Sequence, residues 1–112
     1  MGTLLYGLPP AEIEIEDRLL AHLKAVIVAK LRRAEPFLLS WSIATEDGSG
    51  RRSIWMHPSI PLQFAFVGSR RPLLNKTWLD QMMQAASSNE GLIITDEPSD
   101  AAIAEQESHA MV

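Results

Sequence analysis

The stretch Phe37–Val67, FLLSWSIATEDGSGRRSIWMHPSIPLQFAFV, holds three alternating apolar segments and the turn signals between them. Phe37, Leu39, Trp41 and Ile43 alternate with Leu38, Ser40, Ser42 and Ala44, the period of a strand with one buried face. Thr45-Glu46-Asp47-Gly48-Ser49-Gly50 offers residues that tolerate positive φ and predicts a hairpin turn. After it, Ile54 and Met56 take one side of a second strand, and Ser53, Trp55 and His57 take the other. Neither Pro58 nor Pro61 can donate to a ladder, so they mark a bend or bulge before a third strand. In that strand Leu62, Phe64 and Phe66 oppose Gln63, Ala65 and Val67. The stretch therefore predicts the middle of a sheet with a core side and an open side.

Working outward, Thr3–Tyr6 is a short strand, Gly7-Leu8-Pro9-Pro10 breaks it, and Ala11–Glu16 (AEIEIE) returns as a hairpin with one wet face. Solvation and protection of an edge strand explain its row of glutamates. From Asp17, the pattern DRLLAHLKAVIVAKLRRAE predicts the longest helix, acidic at its positive end and basic at its negative end. Leu19, Leu20, Leu23, Val26, Ile27, Leu31 and Ala34 share an arc of about 140°. Burying the larger of these contributes on the order of 10 kcal/mol before entropy is subtracted.

Two details of this helix stand out. Lys30 projects into the apolar arc, either as a stem packed on the core with its ammonium reaching solvent, or as a partly buried amine capable of base chemistry. The opposite face carries Ala21, Ala25, Ala29 and Val28. That face reflects helix propensity or admits a second element at close range, either the C-terminal tail or another subunit.

Asn75 is a cap for a second helix running to about Ser87, with Trp78, Leu79, Met82 and Ala86 on its apolar side, and Leu92–Thr95 reads as a last strand. The order β-β-α-β-β-β-α-β is an α+β domain: an antiparallel-dominated sheet of about six strands with two helices on one face. Residues 1–96 form the expected domain. Residues 97–112 are an acidic C-terminal tail, mobile by composition or a short helix from Ser99 to His109.

The chain of 112 residues carries a net charge of −4 and has a sequence pI near 5.3, so it has no general attraction to polyanions or anionic membranes. It has no cysteine, which excludes disulfides, thiolate metal sites and cysteine nucleophiles. No signal peptide or membrane span is recognisable, and a cytoplasmic location is expected.

Gly2-Thr3-Leu4-Leu5-Tyr6-Gly7, Val26–Arg33, Ser40-Trp41 and above all Ser53-Ile54-Trp55-Met56-His57-Pro58-Ser59-Ile60-Pro61-Leu62 resemble a family of short actinobacterial proteins of unknown function. That family is often labelled ATP-dependent DNA ligase. The resemblance covers nearly all of residues 2–96 and supplies no catalytic residues. The label implies self-adenylation on a lysine followed after one residue by Asp-Gly. Thr45 stands where that lysine belongs, and threonine cannot form the phosphoramide to AMP.

Other chemistry finds little footing. Ser59, His57 and Asp47 lack a glycine-flanked nucleophile turn. His22, His57 and His109 are too scattered for a metal site, and no phosphate-binding loop or other cofactor motif is present. One surface remains: Arg51, Arg52, Arg70 and Arg71 with Trp55, His57, Ser40, Ser42 and Gln63, brought together if the three central strands form a meander. The leading expectation is a non-catalytic association module, a homo-oligomer or the binder of a protein partner. The alternative is a nucleic-acid accessory module that uses the arginines.

Overall fold

The computed structural model describes residues 1–45 and 48–98. Its elements are β1 (Gly2–Tyr6), β2 (Ala11–Ile15), α1 (Asp17–Arg32), β3 (Phe37–Thr45), β4 (Gly48–Met56), β5 (Leu62–Ala65), α2 (Lys76–Ala86) and β6 (Leu92–Ile93). This is the expected α+β order. Residues 46 and 47 of the central turn, and the proposed helix from Ser99 to His109, lie outside the described residues.

The strands divide into two sheets of three, β2-β1-β5 and β4-β3-β6, where the sequence predicted one sheet. The difference arises at His57–Pro61. His57 closes a turn there, its carbonyl accepting from Ile60 N–H at 3.2 Å and its Nδ1 from Ser59 N–H at 3.0 Å. With prolines at 58 and 61 unable to continue a ladder, the chain is redirected. β5 pairs antiparallel with β1, Tyr6 opposite Leu62 and Thr3 opposite Ala65, and does not continue a meander from β4. Within the second sheet β3 pairs antiparallel with β4, Phe37 opposite Met56, and parallel with β6, Leu39 opposite Leu92.

Tyr6 joins the two sheets. Its hydroxyl donates to the Trp55 carbonyl and accepts from His57 N–H at 3.2 Å, while Gly7 N–H donates to the Pro61 carbonyl at 2.9 Å. Burial pushes the phenol pKa up, and the His57 N–H works in the opposite direction.

One core serves both sheets. Leu4 and Ile15 from the first sheet and Phe37, Leu39, Met56 and Leu92 from the second meet Leu20, Leu23, Val26 and Ile27 of α1 and Trp78, Met82 and Ala86 of α2. α1 packs on β1, α2 on β3 and β6, and the helices touch each other. Gly2 sets the closeness of α1 to the first sheet: a Cβ there would sit 2.7 Å from both the Ala65 carbonyl oxygen and Leu20 Cδ2. No helix among the described residues is long and apolar enough to cross a membrane.

The expected helix arc needs one correction. Ala34 lies past the end of α1 and is exposed. It adopts φ 56°, and Ala34 N–H donates to the Leu31 carbonyl at 3.0 Å while Glu35 N–H donates to the Lys30 carbonyl at 3.1 Å. These two bonds form a Schellman cap with alanine at the left-handed position that glycine favours. The reversal swings Glu35 back so that its carboxylate meets Lys30 Nζ at 2.9 Å. Lys30 also donates to Ser87 Oγ at 3.2 Å and is buried. Its stem packs on the core as expected, but the ammonium ends in an ion pair. That ion pair in turn holds the Glu35 carboxyl below the usual carboxylate range.

Ala34→Gly should raise the urea midpoint, with a gain of about 0.5–1 kcal/mol, because glycine removes the left-handed penalty. Gly91→Ala should act oppositely. Gly91 has φ 79°, and an added Cβ would lie 2.4 Å from the Leu38 carbonyl oxygen, so a loss of about 1–3 kcal/mol is expected in the same unfolding experiment.

Candidate functional site

The loop from Phe66 to Asn75 leaves α1 at one point and returns to it at another. At the departure, the Asp17 carboxylate accepts from Gly68 N–H at 2.9 Å and from Val67 N–H at 3.3 Å, which lowers its pKa, the Gly68 bond most of all. At the return, Arg18 Nη1 donates to the Leu73 carbonyl at 3.1 Å, and Asn75 N–H donates to His22 Nε2 at 2.8 Å. Between these fixed points the loop arches over the small-residue face of α1. The open groove between them, about 530 Å³, is lined by Ala21, Lys24, Ala25 and Val28 on the helix and by Phe66, Gly68–Pro72 and Leu74 on the loop side.

The composition of the groove is mixed in a specific way. Lys24, Arg70 and Arg71 are exposed cations, and Lys24 Nζ stands 5.7 Å from the centre of the Phe66 ring. Two of the lining side chains, Val28 and Leu74, are exposed apolar residues, and Val67 (75%) and Leu73 (90%), next to lining residues in the chain, are exposed as well. Isolated exposed apolar residues are ordinary, whereas several around one concavity mark a contact surface.

Beside the arch lies a buried polar network. His22 is fully buried, with Nδ1 2.7 Å from the Arg18 carbonyl and Nε2 accepting from Asn75 N–H at 2.8 Å, so the two ring nitrogens face an acceptor and a donor respectively. Its ring lies against Trp78, centroids 4.6 Å apart. Asn75 caps α2 by accepting from Trp78 N–H at 3.3 Å and donates through Nδ2 to Glu97 at 3.0 Å. Glu97 takes a two-pronged contact from Arg18, at 2.6 Å from Nε and 2.9 Å from Nη2. Those bonds hold the Glu97 carboxyl down to about 2, the Arg18 contact contributing most.

The sequence-derived surface residues do not share one face. Ser40, Ser42, Arg51 and Trp55 lie on the open side of the second sheet, where Ser40 Oγ and Ser53 Oγ are 2.7 Å apart and Trp55 is 53% exposed. Arg52, one residue from Arg51, falls on the alternate side opposite Trp41. Gln63 belongs to the other sheet, opposite Leu5. His57 closes the turn already described, through its own ring nitrogen and the Ser59 backbone. Arg70 and Arg71 are in the groove, on a loop against α1. The alanine face and this second arginine pair, separate in the sequence, thus meet at one site.

Lys24 was not among the sequence-derived surface residues, and Phe66 was read as a core-side residue of the third strand. The signal for Lys24 was its position between Ala21 and Val28, on the edge of the small-residue face. No group of three metal-ligating side chains occurs among the described residues.

The Glu97 bonds tie stability to pH. A carboxyl held near 2 when folded and near 4.5 when unfolded stabilises the fold fully above about pH 4.5, and this is lost as pH falls toward 2. Glu97→Gln should cost about 1–2 kcal/mol at pH 7, allowing for solvent screening, and flatten the acid limb of a stability-versus-pH curve measured by urea unfolding.

No curated protein and no solved structure matches the chain. Residues 1–97 match a family model described as a domain of unknown function, DUF7882, a match that ends at the residue gripped by Arg18. The chain belongs to that family.

Proposed function

We propose that this protein is a non-catalytic association module, and that its working surface is the groove under the 66–74 arch, which receives an acidic, partly apolar segment of a protein. One observation carries the reading: three exposed cations and the solvent-facing Val28 and Leu74 line one groove on a small-residue helix face. Alanines at the floor let a backbone approach closely, the apolar rim rewards burial, and Lys24, Arg70 and Arg71 select for negative charge. The buried polar side chains His22, Lys30 and Asn75 all make structural hydrogen bonds, which supports a role without chemistry. A chain free of cysteine accords with a cytoplasmic setting.

The nucleic-acid alternative draws less support. Arg51 and Arg52 sit on β4 and Arg70 and Arg71 on the loop beside α1, so the four arginines do not follow one sheet end, and the net charge of −4 opposes a polyanion.

The test uses an amphipathic anion, 8-anilinonaphthalene-1-sulfonate. It should bind saturably, shift the amide resonances of Ala21–Val28 and Gly68–Leu74, and bind about tenfold more weakly to Arg70→Glu/Arg71→Glu, whose melting curve should match the parent. Shifts confined to the Trp55 face of the second sheet would overturn the reading. Tight, steeply salt-dependent binding of a single-stranded oligonucleotide, lost in the same variant, would favour the alternative.

A further inference from the structure

The described chain runs to Pro98, and the residue before it is fastened at one end of the groove. Glu97 is held by Arg18 and Asn75. Arg18 precedes Ala21, Ala25 and Val28 on a single stripe of α1, at spacings of three, seven and ten residues. The same guanidinium donates to the Leu73 carbonyl, and Leu73 lies between Pro72 and Leu74 of the opposite wall. The chain beyond Pro98 therefore starts at the Arg18 end of the groove.

That segment is Ser99–Val112, SDAAIAEQESHAMV. It carries Asp100, Glu105 and Glu107 and no lysine or arginine, against Lys24, Arg70 and Arg71 in the groove. Its apolar part, Ala101-Ala102-Ile103-Ala104, has three alanines, which lets a backbone approach the floor formed by Ala21 and Ala25 closely. Length suffices: from Arg18 to Val28 the helix advances about 15 Å, while the segment covers about 20 Å as a helix and more when extended. Attachment beside the site gives an effective concentration of order millimolar, so even a weak contact is well populated.

We propose that Ser99–Val112 occupies the groove of its own chain, so that an outside partner binds only by displacing it. This rests on the groove being the binding surface. The acidic segment is then an internal competitor, and a partner's apparent affinity is its intrinsic affinity multiplied by the fraction of molecules whose groove is empty.

The absence of cysteine permits a direct test in the full chain: Gln106→Cys gives one site for a nitroxide label. Amide signals of Ala21, Ala25, Val28, Ser69 and Arg71 should lose more than half their intensity relative to the reduced label, independently of protein concentration. The loss should vanish in Arg70→Glu/Arg71→Glu. Glu105→Lys/Glu107→Lys in the unlabelled chain should strengthen binding of the anilinonaphthalene sulfonate by at least about threefold, as the groove empties. Undiminished groove signals would overturn the proposal, as would losses over Leu38, Trp55 and Ile93. So would losses that appear only when isotope-labelled chains are mixed with spin-labelled ones, since the occupant would then come from a second copy. If the sulfonate probe shifts the groove amides but the spin label leaves them intact, the groove stands as a binding surface and its internal occupant falls. If neither perturbs them, both readings fall.

Discussion

The hydrogen bond from Asn75 N–H to His22 Nε2 is the constraint on which the arrangement of this molecule depends. It lies in the interior, where an unpaired donor and acceptor would each be costly, and it fixes the first helix against the start of the second. Asn75 is at once the end of the arch and the cap of α2, so the bond sets both the span of the loop and the origin of the helix behind it. The flanking contacts depend on that placement: Arg18 reaches Leu73 and Glu97 because the loop returns here, and Trp78 faces the His22 ring because its helix begins here. A groove walled by a loop is ordinarily a poorly defined shape. This one is fastened at both feet, at Asp17 and at His22.

Much of the fold was legible because periodicity reports local geometry. The alternation of Phe37, Leu39 and Trp41, the arc of Leu20, Leu23, Val26 and Ile27, and the Asn75 cap each depend on neighbours close in sequence, and each is present. Pairing of distant strands is a different matter. Nothing in Leu62–Ala65 says whether its partner is β4, just before it, or β1, near the start of the chain. The decision was made by the two prolines and the His57 turn, which appeared in the sequence only as a bend. The same limit applies to the site. The alanine face and Arg70-Arg71 were each visible, but their meeting depends on the Asp17, Arg18 and His22 bonds to a loop about fifty residues away, for which sequence spacing has no code.

Lys30 shows how a local exception becomes intelligible once its surroundings are known. A cation on the core side of a helix conflicts with burial unless something neutral or negative meets it. The left-handed Ala34 supplies that by turning Glu35 back, and Ser87 at the end of α2 completes the shell. The helix end, the lysine and the second helix are thus one unit, and the strain at Ala34 is offset by the ion pair it creates.

The division into two sheets also leaves two strand edges marked by charges of opposite sign. β2, at the outside of one sheet, carries Glu12 and Glu14, and β4, at the outside of the other, carries Arg51 and Arg52. Charge on an unpaired edge opposes the addition of a further strand. Two copies approaching through β2 would set glutamate against glutamate, and through β4 arginine against arginine, so a symmetric dimer made across either of these two edges is disfavoured, whereas the opposite edges, β5 and β6, carry no charged residue. Protection against strand addition is thus built into one edge of each sheet, with opposite sign on the two.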